Sequence, residues 1–252
     1  LHDIEPITLY HFGRARGLPD LSPFCVKLET WLRLAGVPYV NKPGNPRQAP
    51  KGKLPYIRHE ARLIGDSSLI IEHLRRHLGV TLDAGQTPAA RADARAWQSL
   101  LEEQLYFLLL HARWQDNAGW AAYRGVLGEV LVAAGVPGIV LPMLYPVLRR
   151  GVVQSLYAQG TGRHSPDELD RTSGALIEAL AARLGEADYF AGESPGTLDA
   201  SAYGMLSGIV GLPIACALLD NMRAQPNLLS YCERMRTRLW SELARPPQQL
   251  SL

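Results

Sequence analysis

Little in this chain commits it to a specialised class. Of its 252 residues only three are cysteine, at 25, 216 and 232. That is too few and too scattered for a disulfide framework or a cysteine-rich zinc site, and a reducing compartment is the simplest expectation. Charge of one sign is also missing. Twenty-six Lys plus Arg against 24 Asp plus Glu leave a net charge of +2, which excludes the dense positive field that nonspecific nucleic-acid binding needs. The opening LHDIEPITLYHF contains acids and no apolar core of signal-peptide length, so no export is expected and a cytoplasmic location follows. Internal repeats and low-complexity tracts are absent. Histidines at 2, 11, 59, 73, 77, 111 and 164 show no HExxH or clustered ligand spacing. His73 and His77 share a helical face but lack a third ligand nearby, so no metal site is expected.

What is present is a 47% hydrophobic chain whose apolar periodicity changes near residue 80. Before it, β-rich runs alternate with helical ones: ITLYHF, CVKLETWLRLAG, VPYVNK, LPYIRHE, ARLIG and SSLIIEHLRRHLG. This predicts a βαβ-ββα order, with helices ending at Gly36 and Gly79. Beyond it the strand signal disappears and long helical patterns follow. The expected organisation is an α/β domain over 1–80, a connector with Gly, Asp and Pro chemistry over 81–89, and an all-helical domain over 90–252.

One segment is unusual. From Val130 to Leu148, 19 residues carry no charge, and Arg149 and Arg150 follow. The length would suffice to span a bilayer. Pro137, Pro142 and Pro146 lie inside it, and each removes a backbone donor and disfavours helix in the preceding residue. The expectation is therefore a kinked helical hairpin buried in the domain, with membrane contact as the alternative.

Three local patterns carry possible chemistry. In Ser22-Pro23-Phe24-Cys25 a favoured capping residue precedes a favoured first helical residue, so a helix starts at Ser22. Its free N–H groups and dipole would stabilise an anion such as a thiolate, with the Ser22 hydroxyl adding a hydrogen bond. A plain cap beside a buried, inert Cys25 is the competing account. In Gly52-Lys53-Leu54-Pro55-Tyr56-Ile57 a proline opens a strand, and a cis Leu54–Pro55 bond would turn the Leu54 backbone toward a ligand. Asp66-Ser67-Ser68 begins another helix, with N–H groups suited to a carboxylate and an aspartate suited to an ammonium. Trp97, Tyr106, Phe107, His111, Trp114, Trp120 and Tyr123 crowd the region expected to face the first domain, as core or as the wall of an apolar pocket.

Together, in this order, these patterns resemble the glutathione S-transferase superfamily. SPFCVKLETWLRLAGVPY, LYAQGTGRHSPDEL and YFAGESPGTLDASAYG are similar to its Fax-like and metaxin-like branch, and the similarity covers nearly the whole chain. The resemblance implies a thioredoxin-like N-terminal domain joined to an all-α domain, with glutathione as cosubstrate and no metal. It also implies Ser22, Cys25 or Tyr10 as the group governing the thiolate, Ser22 being preferred because a helix start supplies more donors. Glutathione contacts are implied at Phe24, Lys53, Leu54, Pro55, Asp66 and Ser67. SPFC is similar to the glutaredoxin motif CPFC with its first cysteine replaced, which argues against a two-cysteine redox mechanism. The implied function is transfer of glutathione to a small electrophile in a pocket between the domains, by a chain that need not be monomeric and could form a homodimer. A noncatalytic adaptor for protein or membrane contacts is the alternative within the same branch. The family's capping box aligns as Gly196 to Asp199, where Gly196 lacks a side-chain acceptor and Thr197 is expected to take over with a shifted helix start.

Overall fold

The computed structural model describes residues 7–80, 82–211 and 214–243. Residues 1–6, which include His2 and on which the expectation of no export partly rests, lie outside the described residues. Thr81 in the connector, residues 212–213 and residues 244–252 do as well.

The first domain is thioredoxin-like. Strand β1 (Ile7–His11), helix α1 (Pro23–Leu34), β2 (Tyr39–Pro43), β3 (Tyr56–His59), β4 (Arg62–Gly65) and α2 (Ser67–Leu78) follow the expected order, with a 3-10 turn at Pro46–Gln48. The sheet runs β2-β1-β3-β4; β1 and β2 are parallel and the other pairs antiparallel, with Leu9 opposite Asn41 and Ile57. Alternation along β1 buries Ile7, Leu9 and His11. Ile7, Leu9 and Ile57 pack against Leu28, Trp31 and Leu32 of α1 and Ile70, Ile71 and Leu74 of α2. Each such side chain contributes roughly 1.5–3 kcal/mol of transfer free energy. The helices end in Ala35-Gly36 and Gly79, as their sequences predict.

The second domain is all helical. It comprises α3 (Pro88–Ser99), α4 (Tyr106–Trp114), α5 (Asn117–Ala133), α6 (Leu141–Gln159), α7 (Pro166–Leu184), α8 (Thr197–Val210), α9 (Ala217–Arg223) and α10 (Pro226–Leu239). A π-helical turn at Leu100–Leu105 joins α3 to α4 without a break. From Leu198 to Val210 every residue of α8 is buried, because this helix of mostly small and apolar residues runs through the core, with Asp199 and Ser201 held by hydrogen bonds. It also carries the main packing against α1: a Cβ on Gly204 would stand 2.6 Å from the Pro23 carbonyl oxygen.

Two details differ from expectation. Helix α8 starts at Gly196 as cap, and Thr197 does not replace it. The Thr197 amide donates to Asp83 Oδ1 at 3.0 Å, and its hydroxyl accepts from Trp31 Nε1. Asp83 of the connector thus supplies the acceptor that Gly196 lacks, and it fills the space beside it: a Cβ on Gly196 would collide with the same oxygen. Asp199 is buried and accepts from the Phe190, Ala191 and Gly196 amides, closing the loop ahead of the helix.

The uncharged 130–148 stretch does form a hairpin, from the end of α5 through a turn into α6, with Pro146 inside α6 and Pro142 tolerated in its first turn. Its inner side is buried. Val130 and Leu141 are in the core, whereas Ile139, Met143 and Val147 are 87%, 78% and 67% exposed. Leu141 and Tyr145 face Gly128 of α5, so the outer side of the hairpin is left to solvent. Among the described residues no helix is long and apolar enough to cross a membrane.

Candidate active site

The start of α1 is built by the loop ahead of it. Ser22 caps the helix, its Oγ accepting from the Cys25 amide at 3.4 Å. Val26 N–H goes to the Ser22 carbonyl and Pro23 has no N–H. The Phe24 amide is left as a first-turn donor without a partner among the described residues. Ser22 is half-buried, and its side chain also hydrogen-bonds the Cys25 thiol.

Behind this mouth lies a carboxylate that the motif reading missed. Asp20 is buried and accepts from the Ser22 amide at 2.7 Å and the Gly13 amide at 2.9 Å, with His11 Nδ1 at 3.0 Å. The Asp20–Ser22 contact is an Asx turn, and an aspartate two residues ahead of a capping serine was a readable signal for it. From the helical domain, the buried Arg113 donates to the Leu21 carbonyl at 2.8 Å and to the Gly208 carbonyl at 2.9 Å. Burial lowers the affinity of its guanidinium for a proton, while Tyr123, Tyr106 and Asp20 oppose that change. Both groups fix the chain that leads into Ser22.

Cys25 turns inward and is 1% exposed. Burial pushes its thiol well above the ordinary range, and the nearby Asp20 charge pushes it further. It packs with Ala49, Leu54 and Tyr56, and Tyr10 joins that cluster with its ring stacked on Tyr56 at 4.4 Å. The cluster brings the first turn of α1 against Leu54. The Leu54–Pro55 bond is cis, and the Leu54 N–H and C=O enter no hydrogen bond among the described residues. Lys53 beside it is exposed.

Asp66 has φ 80, a left-handed conformation that costs a residue other than glycine about 1–3 kcal/mol and gathers at functional sites. Its Oδ1 caps α2 by accepting from the Ser68 and Leu69 amides. The Ser67 amide has no partner among the described residues. Ser68 Oγ accepts from Lys27 Nζ at 2.7 Å, so the second turn of α1 meets the start of α2. Lys27 is fully buried and pairs with Glu102 Oε1 at 2.6 Å; Gln98 and Ser201 donate to the same oxygen. Burial lowers the Lys27 pKa, with Glu102 opposing it. Nothing in the local sequence announced this pair, because its partners come from different domains and Glu102 is directed by the π-helical turn.

The aromatic group divides. Tyr106 meets Phe24 edge-on at 4.8 Å and touches Phe107. Trp114, Trp120 and Tyr123 instead form a separate core with Ala15, Leu18 and Leu21. Trp97 donates to Asp93, and burial lowers the His111 pKa. His59 joins His73 and His77: its Nδ1 lies 2.9 Å from His73 Nε2, and the His73 and His77 rings lie 3.9 Å apart. Among the described residues no group of three His, Cys, Asp or Glu is arranged to hold a metal.

Comparison with known proteins matches this architecture. Residues 23–119 match the family model of the glutathione S-transferase N-terminal domain and residues 175–235 that of the C-terminal domain. The chain is 33% identical over 236 residues to the isoprene-epoxide glutathione S-transferase of Rhodococcus sp. strain AD45, covering 91% of this chain and 98% of that one. It is 32% identical to Drosophila melanogaster Failed axon connections and 28% identical to human Metaxin-1, over 94% and 97% of this chain. It spans 59% and 54% of those two proteins. Among solved structures, a beta-etherase from Sphingobium sp. strain SYK-6 superposes with TM-score 0.61 at 17% identity over 98% of each chain. The apo form of glutathione S-transferase III gives 0.59 at 16%, over 96% of this chain and 99% of that one. These two show the fold.

Proposed function

The chain belongs to the glutathione S-transferase superfamily, in its Fax-like and metaxin-like branch, and on that premise we propose that it binds glutathione and transfers it to a small electrophile. One observation carries the reading: the first two turns of α1 touch both other elements, through Cys25 to Leu54 and through Lys27 to Ser68, and each element offers an unpartnered backbone donor. Those donors are the amides of Phe24, Leu54 and Ser67. In this reading Leu54, ahead of Pro55, pairs with the peptide backbone of glutathione. Ser67 binds the γ-glutamyl carboxylate, and the Asp66 oxygen not used in capping takes the ammonium. Lys53 lies beside the exposed edge of this track.

The sulfur lies at the α1 mouth. A free thiol is only a few per cent ionised at neutral pH, so the site must favour the thiolate. Ser22 turns its hydroxyl proton from the Cys25 thiol to the sulfur while still accepting from the Cys25 amide, and the Phe24 amide and helix dipole add to it. Asp20 works against a second negative charge; Arg113 on the other side of the loop offsets it. Cys25 remains a protonated packing residue, and Tyr10 is held in its stack. Phe24, Tyr106 and Phe107 form the apolar side that meets the electrophile. The proposed setting is the cytoplasm, in keeping with three free cysteines, and a homodimer is a compatible assembly.

Glutathione titration with Ser22→Ala and Cys25→Ala tests the assignment. Saturable heat in all three proteins is expected. Ser22→Ala should raise the pKa of the bound thiol, read by thiolate absorbance, and lower kcat/KM with an electrophilic aromatic substrate roughly ten- to a hundredfold, the worth of one charge-assisted hydrogen bond. An unchanged thiol pKa in Ser22→Ala with activity lost in Cys25→Ala overturns it. The adaptor reading has its own support, in similarity to Failed axon connections and Metaxin-1 across nearly the whole chain and in the exposed hairpin tip. No saturable heat with glutathione would favour it.

A further inference from the structure

We propose that the tip of the α5–α6 hairpin docks on the surface of a bilayer carrying anionic headgroups. Ile139, Met143 and Val147 follow one another at four-residue spacing on the solvent face of the hairpin, and Val132 and Val140 extend the patch across the turn. A contiguous apolar surface rimmed by charge marks a contact site. Three further observations select a lipid surface as the occupant.

The first is charge. No acid occurs between Val130 and Leu148, and the next exposed side chain on this face of α6 after Val147 is Arg150. Arg124 is exposed on α5, and the acid nearest the tip on that helix, Glu129, is paired with Arg16. The rim is thus cationic, and it complements anionic headgroups. The second is length. From Ile139 to Val147 the exposed apolar side chains run about 12 Å at helical pitch, a face that can lie in the boundary of headgroups and acyl chains, where such elements sink about 5–10 Å. Arg150 follows one turn later, at headgroup level. The third is the turn itself. The amides of Ala134, Gly135, Val136 and Val140 are bonded within it, to Val130, Val132, Leu131 and Pro137, and Pro137 has no N–H. A turn entering an apolar layer must satisfy its backbone internally, and this one largely does. The contact is peripheral, since no helix among the described residues is long and apolar enough to cross.

Cosedimentation of the full chain with phosphatidylcholine vesicles, with and without phosphatidylserine, tests this independently of glutathione. Wild type should bind the anionic vesicles and be released as salt is raised. The double variant Ile139→Asp, Met143→Asp should bind at least about tenfold more weakly. Arg150→Glu should bind anionic vesicles roughly fivefold or more weakly, with neutral vesicles unaffected. Unchanged circular dichroism is expected for both, because all three side chains are solvent-exposed. Three results overturn the proposal: wild type binding neither vesicle, the double variant binding as wild type does, or sedimentation showing a wild-type dimer that the double variant abolishes. In the last case the tip joins two copies of the chain. Vesicle binding alongside no glutathione heat would leave this proposal standing and remove the transferase reading.

Discussion

The start of α1 and the tip of the α5–α6 hairpin invert each other. At the first, Asp20, Lys27 and Arg113 are buried and Glu102 is partly so, and each holds defined partners within or across the domains. At the second, Ile139, Met143 and Val147 stand in solvent. A buried polar group must be satisfied or it costs several kcal/mol, so the α1 start can hold only one geometry. An exposed apolar group constrains nothing in its own fold. The first region is therefore where substitution should damage stability and chemistry together, and the second is where it should alter only what the protein touches.

Substitutions at four contacts sharpen that contrast. The largest effect is expected from Glu102→Ala, which leaves the Lys27 ammonium buried without its counter-charge and should cost roughly 3–5 kcal/mol in denaturant unfolding. Burial already holds Lys27 below the usual lysine range. The unfolded chain of the variant therefore binds more protons, and its deficit should shrink as pH rises toward that range. A Lys27→Met, Glu102→Gln double variant should recover much of the loss; a full additive loss would show that the pair is not coupled.

Gly204→Ala comes next. Its methyl would press on the Pro23 carbonyl from 2.6 Å, so an overpacking cost of about 1–3 kcal/mol is expected. Because Pro23 follows Ser22, kcat/KM should fall as well. Lost stability with kcat/KM intact would detach the α8 contact from the site.

Asp83→Ala removes the acceptor at the start of α8 and should cost about 1 kcal/mol by thermal melting. Gly196→Ser, which restores the usual capping residue, should also destabilise, because Asp83 occupies that space. In the Asp83→Ala background the same serine should stabilise. If it stabilises the wild-type chain instead, Asp83 is not the substitute cap.

The smallest effect joins the two regions. Arg16, in the loop before α1, pairs with Glu129 near the end of α5, and this holds the Glu129 pKa below the ordinary carboxylate range. A lowered acid pKa contributes stability that is present above the ordinary value and lost as pH falls through the lowered one. The pair is solvent-exposed, so screening limits Glu129→Gln to about 0.5 kcal/mol or less, visible in low salt and only above that acidic window.

Much of this molecule was legible residue by residue. The period of two in ITLYH, the Ser22-Pro23 start, the glycines closing α1 and α2 and the proline after Leu54 are local signals, and local steric and hydrogen-bonding rules act the same way whatever the surroundings. The sequence by itself therefore determined the element order, the three places where backbone donors are left over and the break between a mixed half and a helical half. It did not determine what lies behind those donors. Asp20 reaches Ser22 through a loop, Arg113 arrives from 92 positions away, and Lys27 meets Glu102 only when α1 lies against the helical domain. Nor did it separate a buried hairpin from a projecting one, since apolar composition is the same in both. Charge pairing and burial depend on distances in space between segments remote in the chain, and those distances exist only after the two domains have packed.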